Sequence, residues 1–208
     1  MAATVVCISR AIYTDAEHIA ADVAKELGFR YVDEEIIERA AQRRNLTPAE
    51  VASAERRKSF LAQFVRDLGE SSTDVIKFIA KPGDSGPNDD LRELIRDAIR
   101  QTAAAGQVVI VAHAASYALA RQKGVLRVLI TGSEFARVNK WLPTSGGKSP
   151  REAADSIRES DSARGNYLKR FYDVAYESPD HYDLTLSIDS LSREQITKLI
   201  LQAAQAIQ

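Results

Sequence analysis

The sequence predicts an α/β fold, a mostly parallel sheet flanked by helices. Two runs have the apolar, largely β-branched composition of buried strands, namely TVVCI (4–8) and QVVIVA (107–112), and LRVLIT (126–131) is predicted as a further strand. The segment YDLTLSID (182–189) is predicted as the last strand. Segments with apolar residues at helical spacing lie between these strands, and this alternation is typical of a parallel sheet.

The helices are predicted from apolar spacing and end signals. The first runs from Ala16 to Leu27, with Asp15 as its N-cap and Gly28 as its stop, and FRYVD (29–33) follows as a short strand. A helix is predicted at 34–44, and two more follow the TPAE capping box at 47–50. The remaining predicted helices lie at 91 to about 106, 115–122, 134–142, 151 to about 176, and around 196–207. KPGDSGPNDD (81–90) and TSGGKSP (144–150) are predicted loops, and the first of them ends a helical insert at about 34–85.

Composition narrows the classes of function. The formal net charge of -1 gives no global basic field, so neither a nucleic-acid polymer nor an acidic membrane is an expected partner.

The single cysteine, Cys7, excludes an internal disulfide and is interpreted as a small buried hydrophobe. The three histidines are far apart, so a structural zinc site is not expected. Without a signal peptide or an apolar run of membrane-spanning length, we expect a cytoplasmic protein.

Ligands of parallel sheets bind at the carboxyl ends of the strands. The residues at those ends are Ser9 and Arg10, Asp33, Ala112 and His113, Thr131, and Asp189. The turn at Ser9-Arg10 passes into a helix, which is where a phosphate-binding loop would lie. Such loops are built from glycine, yet none occurs between Met1 and Gly28. The GGKS segment at 146–149 is not a substitute, because position 142 is leucine, a helix precedes it and Pro150 follows it.

Several motifs, taken in order, give a resemblance over nearly the whole chain. The opening ISRAIYTDAEHIAADVAKELGFRYVDEEIIERAA (8–41) has the frame of S-R-E-x-G-S-G-G-x-x-I-A, a helix ending in L-G, and an aromatic-rich strand ending in Asp. VVIVAHAASYALA (108–120) resembles V-I-V-G-R-x-A-x-x-I-L, and DSARGNYLKRFY (161–172) matches D-x-x-R-x-x-Y. SPDHYDLTLSID (178–189) resembles D-P-x-x-Y-D-L-x-I-N-T. In these features the chain resembles the cytidylate kinase-like family of P-loop proteins.

The resemblance implies a P-loop kinase-like fold and a reaction. Within one domain over 1–208 it implies a substrate-side helical insert at 34–85 and a lid-like helical region at 132–178. The reaction would be transfer of a phosphoryl group from ATP, with Mg²⁺, to a nucleoside monophosphate such as CMP. By resemblance, the nucleotide-binding loop holds Ser9, Arg10, Tyr13, Thr14 and Asp15. The resemblance places Asp33 and His113 on the substrate side. It makes Arg137 and Arg164 the catalytic phosphate clamps, with Asp161 orienting Arg164.

The chain departs from the family pattern where the chemistry should be. The family's G-S-G-G is replaced by the four residues 13–16, YTDA, and its Gly-Arg after the third strand by Ala112-His113. Glycine permits positive φ and close approach of the backbone to an anion, whereas Tyr13 and Thr14 would crowd that space. Asp15 adds a negative charge where a phosphate would sit. Two hypotheses follow: an impaired nucleotide kinase, or an inactive pseudokinase that binds a nucleotide, another phosphate-bearing small molecule or a protein.

Each candidate residue also has a purely structural interpretation. Ser9 could be a turn serine, Arg10 a solvated arginine, and Asp15 or Asp33 a helix cap. His113 could be a satisfied histidine under a helix. The basic residues Arg137, Arg158, Arg164, Lys169 and Arg170 could be a solvated helix face, and Trp141, Phe171 and Tyr172 could be core or interface aromatics. The apolar stripe at 60–68 and the long helix could form a homodimer surface or belong to the core.

Overall fold

The computed structural model describes most of the chain outside one long segment. It covers residues 2–33, 87–112, 115–120, 122–144, 149–175 and 177–207, with only the backbone described at 87–95, 170 and 171. The predicted insert at 34–85, the stripe at 60–68 and His113 lie outside the described residues. So do the glycines and lysine of the GGKS segment.

A parallel sheet forms the centre of the described residues. Its five strands are β1 (Val5–Arg10), β2 (Arg30–Val32), β3 (Val108–Val111), β4 (Val125–Thr131) and β5 (Leu184–Ser187), in the order β2-β3-β1-β4-β5. Every neighbouring pair is parallel. β1 lies in the middle, and it is buried from Val5 to Ser9, which agrees with the unbroken apolar run that predicted it. The predicted α/β fold is confirmed.

Helices cover both faces of this sheet. Their bounds are α1 (Ala16–Leu27), α2 (Pro87–Ala104), α3 (Ala115–Ala118), α4 (Glu134–Trp141), α5 (Pro150–Tyr172) and α6 (Arg193–Ala206), with 3₁₀ turns at Leu142–Thr144 and Pro179–His181. Helices α1 and α6 pack on one face through residues such as Ile19 and Ile196. Helices α2 and α3 pack on the other, through Ile99 of α2 and Leu119 directly after α3. Each fully buried side chain of this size contributes roughly 1.5–3 kcal/mol relative to exposure.

Helices α4 and α5 pack against each other, away from those two layers. Val138 of α4 and Ala153 and Ile157 of α5 form a small buried cluster, and the cluster is extended by Ile12 and Tyr13 from the loop after β1. The two helices, here called the α4–α5 hairpin, therefore lie over that loop. None of the described helices is long and apolar enough to cross a bilayer.

Two predicted boundaries, one at the start of a helix and one at the end of a strand, were wrong. Helix α2 begins at Pro87, inside the predicted loop at 81–90, because proline suits the first helical position and the two aspartates after it suit the first turn. Strand β1 continues through Arg10 instead of breaking at Ser9, because Ser9 and Arg10 remain in register with β4.

Other elements end earlier than predicted. Helix α5 ends at Tyr172 instead of about 176, since Asp173 takes a left-handed conformation with φ of 55° and ends the helix. Helix α3 has only four residues, and β5 spans Leu184–Ser187 within the predicted 182–189. Asp15 does occupy the N-cap position of α1, but its side chain makes no capping hydrogen bond, so that predicted role was wrong.

Candidate functional site

The loop between β1 and α1 has left-handed backbone geometry without glycine. Tyr13 has a φ of 62° and Asp15 a φ of 64°. Such a conformation costs an L-residue roughly 1–2 kcal/mol, so the surrounding contacts must hold it in place. Thr14 lies between them, buried, and its hydroxyl donates a 2.8 Å hydrogen bond to the Ala11 carbonyl. The loop is thus shaped by its own side chains.

The Asp15 carboxylate lies at the start of α1 between an imidazole and an ammonium group. One oxygen is 2.5 Å from Nδ1 of His18, and the other is 3.2 Å from Nζ of Lys140 in α4. Burial opposes ionisation of Asp15, but the hydrogen bonds from His18 and Lys140 outweigh it, and the pKa of the carboxyl is lowered. An anion supplied by the chain itself is therefore fixed at the helix N-terminus, where helix dipoles favour negative charge.

Aromatic and apolar contacts cover the same loop. The Tyr13 ring stacks on Trp141 of α4, with centroids 5.0 Å apart and an interplanar angle of 29°. Ile12 packs against the buried cluster of the α4–α5 hairpin. Tyr13 and Thr14 thus occupy space beside the loop, as the sequence indicated, and the covering helix is the one that carries Lys140.

Arg10 and Asp33 lie near each other at the ends of β1 and β2. The Arg10 Nε is 2.5 Å from a carboxylate oxygen of Glu17, so Arg10 is paired within the chain. Asp33 accepts a 2.9 Å hydrogen bond from the Tyr31 hydroxyl. Burial raises the pKa of Asp33, although the Tyr31 hydrogen bond and the Arg10 charge oppose that rise. Two of the predicted site residues are therefore brought together.

Ser9 is a packing residue in this structure. It is completely buried, its hydroxyl lies 3.2 Å from that of Ser116 in α3, and it donates a 3.5 Å hydrogen bond to the Ala112 carbonyl. These contacts join β1 to the chain that follows β3. The neighbouring predicted residue His113 lies outside the described residues, so its position relative to Ser9 stays a prediction.

Arg164 of α5 reaches the carboxyl end of β1. Its side chain is 9% exposed; Nη1 donates to the Arg10 carbonyl at 3.1 Å, and Nε and Nη2 form a bidentate pair with Glu177 at 2.8 and 2.5 Å. Nη2 also donates to the Tyr182 hydroxyl, and Tyr182 in turn donates to Glu177. Burial disfavours the charge on Arg164, but Glu177 outweighs burial and raises the pKa of the guanidinium.

The predicted partner of Arg164 was wrong. Both carboxylate oxygens of Asp161 accept hydrogen bonds from Arg137, at 2.9 and 2.5 Å. The carboxylate beside Arg164 is Glu177, which comes from the segment after α5. Arg137 is 7% exposed, and among the described residues its Nε has no hydrogen-bond partner, so Asp161 compensates its charge through the outer nitrogens. Asp161 therefore positions α4 against α5.

Asp189 holds the start of α4 at the end of β5. It accepts hydrogen bonds from the Ser133 backbone at 2.8 Å, the Ser133 hydroxyl at 2.5 Å and the Ser187 hydroxyl at 2.7 Å. These hydrogen bonds lower the pKa of Asp189 to about 2. Gly132 permits the close approach, because a Cβ there would lie 2.5 Å from Cγ1 of Ile188.

Acid should weaken this attachment of α4. Because the pKa of Asp189 is lower in the folded chain than in the unfolded chain, the unfolded chain binds more protons, and stability rises with pH. The contribution is fully present above the unfolded pKa of about 3.9 and is lost as pH falls to about 2. We expect Asp189→Asn to unfold at lower temperature than the unmodified chain at pH 6, and the two melting temperatures to converge near pH 2. A difference that stays constant from pH 6 to pH 2 would contradict this role.

Comparison with known families identifies the chain. The sequence profile of the cytidylate kinase-like family matches residues 5–190. This chain belongs to the cytidylate kinase-like family. The resemblance drawn from the motifs is therefore confirmed. No curated protein sequence matches the chain.

Solved structures with the same fold are distant in sequence. An uncharacterized protein from Eubacterium ventriosum ATCC 27560 superposes with a TM-score of 0.68 at 15% identity, over 96% of this chain and 97% of that one. A gluconokinase from Sinorhizobium meliloti 1021 gives a TM-score of 0.53 at 13% identity, over 96% and 90%. Shikimate kinase from Bacteroides thetaiotaomicron gives a TM-score of 0.51 at 16% identity, over 97% of both chains. At these identities the likeness establishes the kinase-like fold alone.

The family implies ATP and Mg²⁺, but this member's loop does not fit them in the usual way. The Thr14 hydroxyl donates to the Ala11 carbonyl, and the Asp15 carboxylate lies at the N-terminus of α1, 3.2 Å from Nζ of Lys140. Where the family pattern has G-S-G-G, this loop has no glycine. In the described ranges, no group of three or more His, Cys, Asp or Glu side chains could hold a metal ion.

Several residues of this family member's site were missed by the sequence analysis. These are Glu17, His18, Lys140, Glu177 and Tyr182. The spacing of Asp15 and His18, three apart on a helix start, could have indicated their contact. The partners Lys140 and Glu177 come from distant segments, and no local signal in the sequence marks them.

Proposed function

We propose that this chain is a kinase-like protein that has lost ordinary phosphoryl transfer from ATP, a pseudokinase that serves as a binding module. The observation that carries the proposal is the Asp15 carboxylate, fixed by His18 and Lys140 at the N-terminus of α1. A nucleotide phosphate placed there would meet a negative charge instead of a row of free backbone N–H groups.

The pairing of the two arginines supports the same proposal. In phosphoryl transfer, arginines contribute by placing positive charge on the moving phosphate. Here Arg164 is paired with Glu177 and Arg137 with Asp161, in both cases through two hydrogen bonds. A ligand phosphate would have to displace a carboxylate from each, which reduces the net gain from binding.

The ligand we propose is a nucleotide or another phosphate-bearing small molecule, bound weakly at the carboxyl edge of the sheet. Arg10 and the half-buried Asp33 supply a positive and an acidic group there; by resemblance to the family, Arg10 belongs to the nucleotide-binding loop and Asp33 to the substrate side. A protein partner is the other role open to such a module.

A second candidate is an impaired kinase acting on CMP or a related nucleotide, with ATP and Mg²⁺. The left-handed conformations of Tyr13 and Asp15 favour it, because they keep a backbone shape that glycine would otherwise supply. The contact of Arg164 with the Arg10 carbonyl also keeps an arginine next to the loop.

Calorimetry and a coupled kinase assay separate these candidates. The chain would be titrated with Mg-ATP, ADP, CMP and dCMP, and then assayed for ADP formation with each acceptor. We expect weak binding, if any, and no turnover above background. The discriminating variant is Arg164→Lys, which keeps the charge but not the bidentate fork. If turnover co-purifies with the chain and is lost in this variant, the pseudokinase is refuted and the impaired kinase is established.

A further inference from the structure

The loop after β1 is fastened to the α4–α5 hairpin by contacts of three kinds. An ion pair joins Asp15 to Lys140 over 3.2 Å, an aromatic stack joins Tyr13 to Trp141, and Ile12 packs on the buried cluster of the hairpin. Lys140 and Trp141 are the last two residues of α4. The contacts are therefore concentrated where α4 ends.

The other end of the hairpin is attached differently. Ser133, at the start of α4, is held by Asp189, and Arg164 in the second half of α5 is held by Glu177 and the Arg10 carbonyl. Between these points α4 and α5 are joined by the Arg137–Asp161 pair. The hairpin is thus anchored near its base, whereas the end of α4 packs on α5 and contacts the loop after β1.

We propose that the loop after β1 is an autoinhibitory clasp, in which Asp15 and Tyr13 hold the end of α4 closed over the loop when no ligand is bound. Asp15 serves as the internal anion that Lys140 binds. The contacts carry the clasp itself, and only its effect on ligand binding rests on the proposed function. A phosphate-bearing ligand would have to compete with Asp15 for Lys140, so opening of the clasp and ligand binding are coupled.

Hydrogen exchange without any nucleotide tests the clasp. The variants are Asp15→Asn, Lys140→Gln and the double variant. Each single change removes a partly exposed ion pair, so we expect about two- to fivefold faster exchange of the α4 amides through local opening. Exchange of the α6 amides should not change. The single tryptophan, Trp141, gives a second readout, since its quenching by acrylamide should increase in the same variants.

The double variant and a control decide the result. If Asp15 and Lys140 act on each other, the double variant should exchange no faster than the faster single variant. Asp22→Asn, which breaks a comparable ion pair between α1 and Arg193 of α6, should leave α4 exchange unchanged. Lys140 is 47% exposed, so its replacement is a surface change that the fold tolerates.

Two outcomes would overturn the clasp. One is unchanged α4 exchange in both single variants, and the other is a double variant whose effect equals the product of the two single effects. Because no nucleotide is present, the result does not depend on whether the chain has kinase activity. An active enzyme would refute the proposed function and leave the clasp standing.

Discussion

Replacing Glu177 with glutamine is expected to lower the free energy of unfolding by about 3 kcal/mol. The change leaves the Arg164 guanidinium, 9% exposed, without the carboxylate that compensates its charge. Two further hydrogen bonds of Arg164, to the Arg10 carbonyl and the Tyr182 hydroxyl, remain but carry no opposite charge. Removing one member of a buried ion pair costs more than the pair contributes, because the remaining charge stays desolvated. Urea denaturation followed by circular dichroism measures the loss.

An exposed ion pair of the same hairpin provides the matched control. Glu134 pairs with Arg158 at 2.9 Å, and these side chains are 45% and 57% exposed. Glu134→Gln should therefore change the free energy of unfolding very little, because solvent already screens both charges. The double change Arg164→Met with Glu177→Leu should recover much of the loss, since it removes both charges. Equal losses in Glu177→Gln and Glu134→Gln would show that Arg164 is not a buried charge that needs Glu177.

Replacing residues 13–16 with Gly-Ser-Gly-Gly is expected to raise the affinity for Mg-ATP by as much as about a thousandfold. Two unit charges about 4 Å apart repel by roughly 4 kcal/mol at an effective dielectric constant near 20, and each 1.4 kcal/mol is a tenfold change in affinity. The substitution removes the Asp15 carboxylate, frees Lys140 for a ligand and clears the Tyr13 ring from the loop. Glycine also accepts the positive φ of positions 13 and 15 without strain. Isothermal titration calorimetry measures the gain.

Asp15→Asn separates charge from shape in that experiment. Asparagine keeps the size of the side chain and tolerates the left-handed conformation, so its gain in affinity reports the lost charge alone. The remaining gain in the four-residue replacement would then belong to the glycines and to the removal of Tyr13. If the replaced chain is folded and binds Mg-ATP no better than the unmodified chain, the Asp15 carboxylate does not block a phosphate site.

The sheet and most of its helices could be predicted because local patterns specify them. After Thr4, which is exposed, the run at 4–8 is apolar, so a strand buried on both faces was the consistent interpretation, and β1 is central. The capping residue Ser133 and the box formed by Ser149 and Glu152 mark the starts of α4 and α5 within a residue. The boundaries that failed, at Arg10 and Tyr172, depend on a pairing partner and on a single left-handed residue, and neither is visible in a local window.

The candidate site could be predicted in part. Sequence order placed Arg10, Tyr13 and Asp15 beside one another, and their departure from the family's glycines was readable without coordinates. The role of Asp15 could not be predicted, because an aspartate at the start of a helix is expected both for a capping residue and for an internal anion. The distinction came from Lys140, which is 125 positions away in the chain and 3.2 Å away in space.

By itself, the sequence determined the α/β fold, the family and the position of the loop without glycine after the first strand, since each follows from periodicity or from residues in fixed order. Only the tertiary structure decided how the charges pair: Asp15 with Lys140, Arg137 with Asp161, and Arg164 with Glu177. Coulomb energy depends on distance and burial in space, and the chain brings these partners together only after the sheet has set where each helix lies.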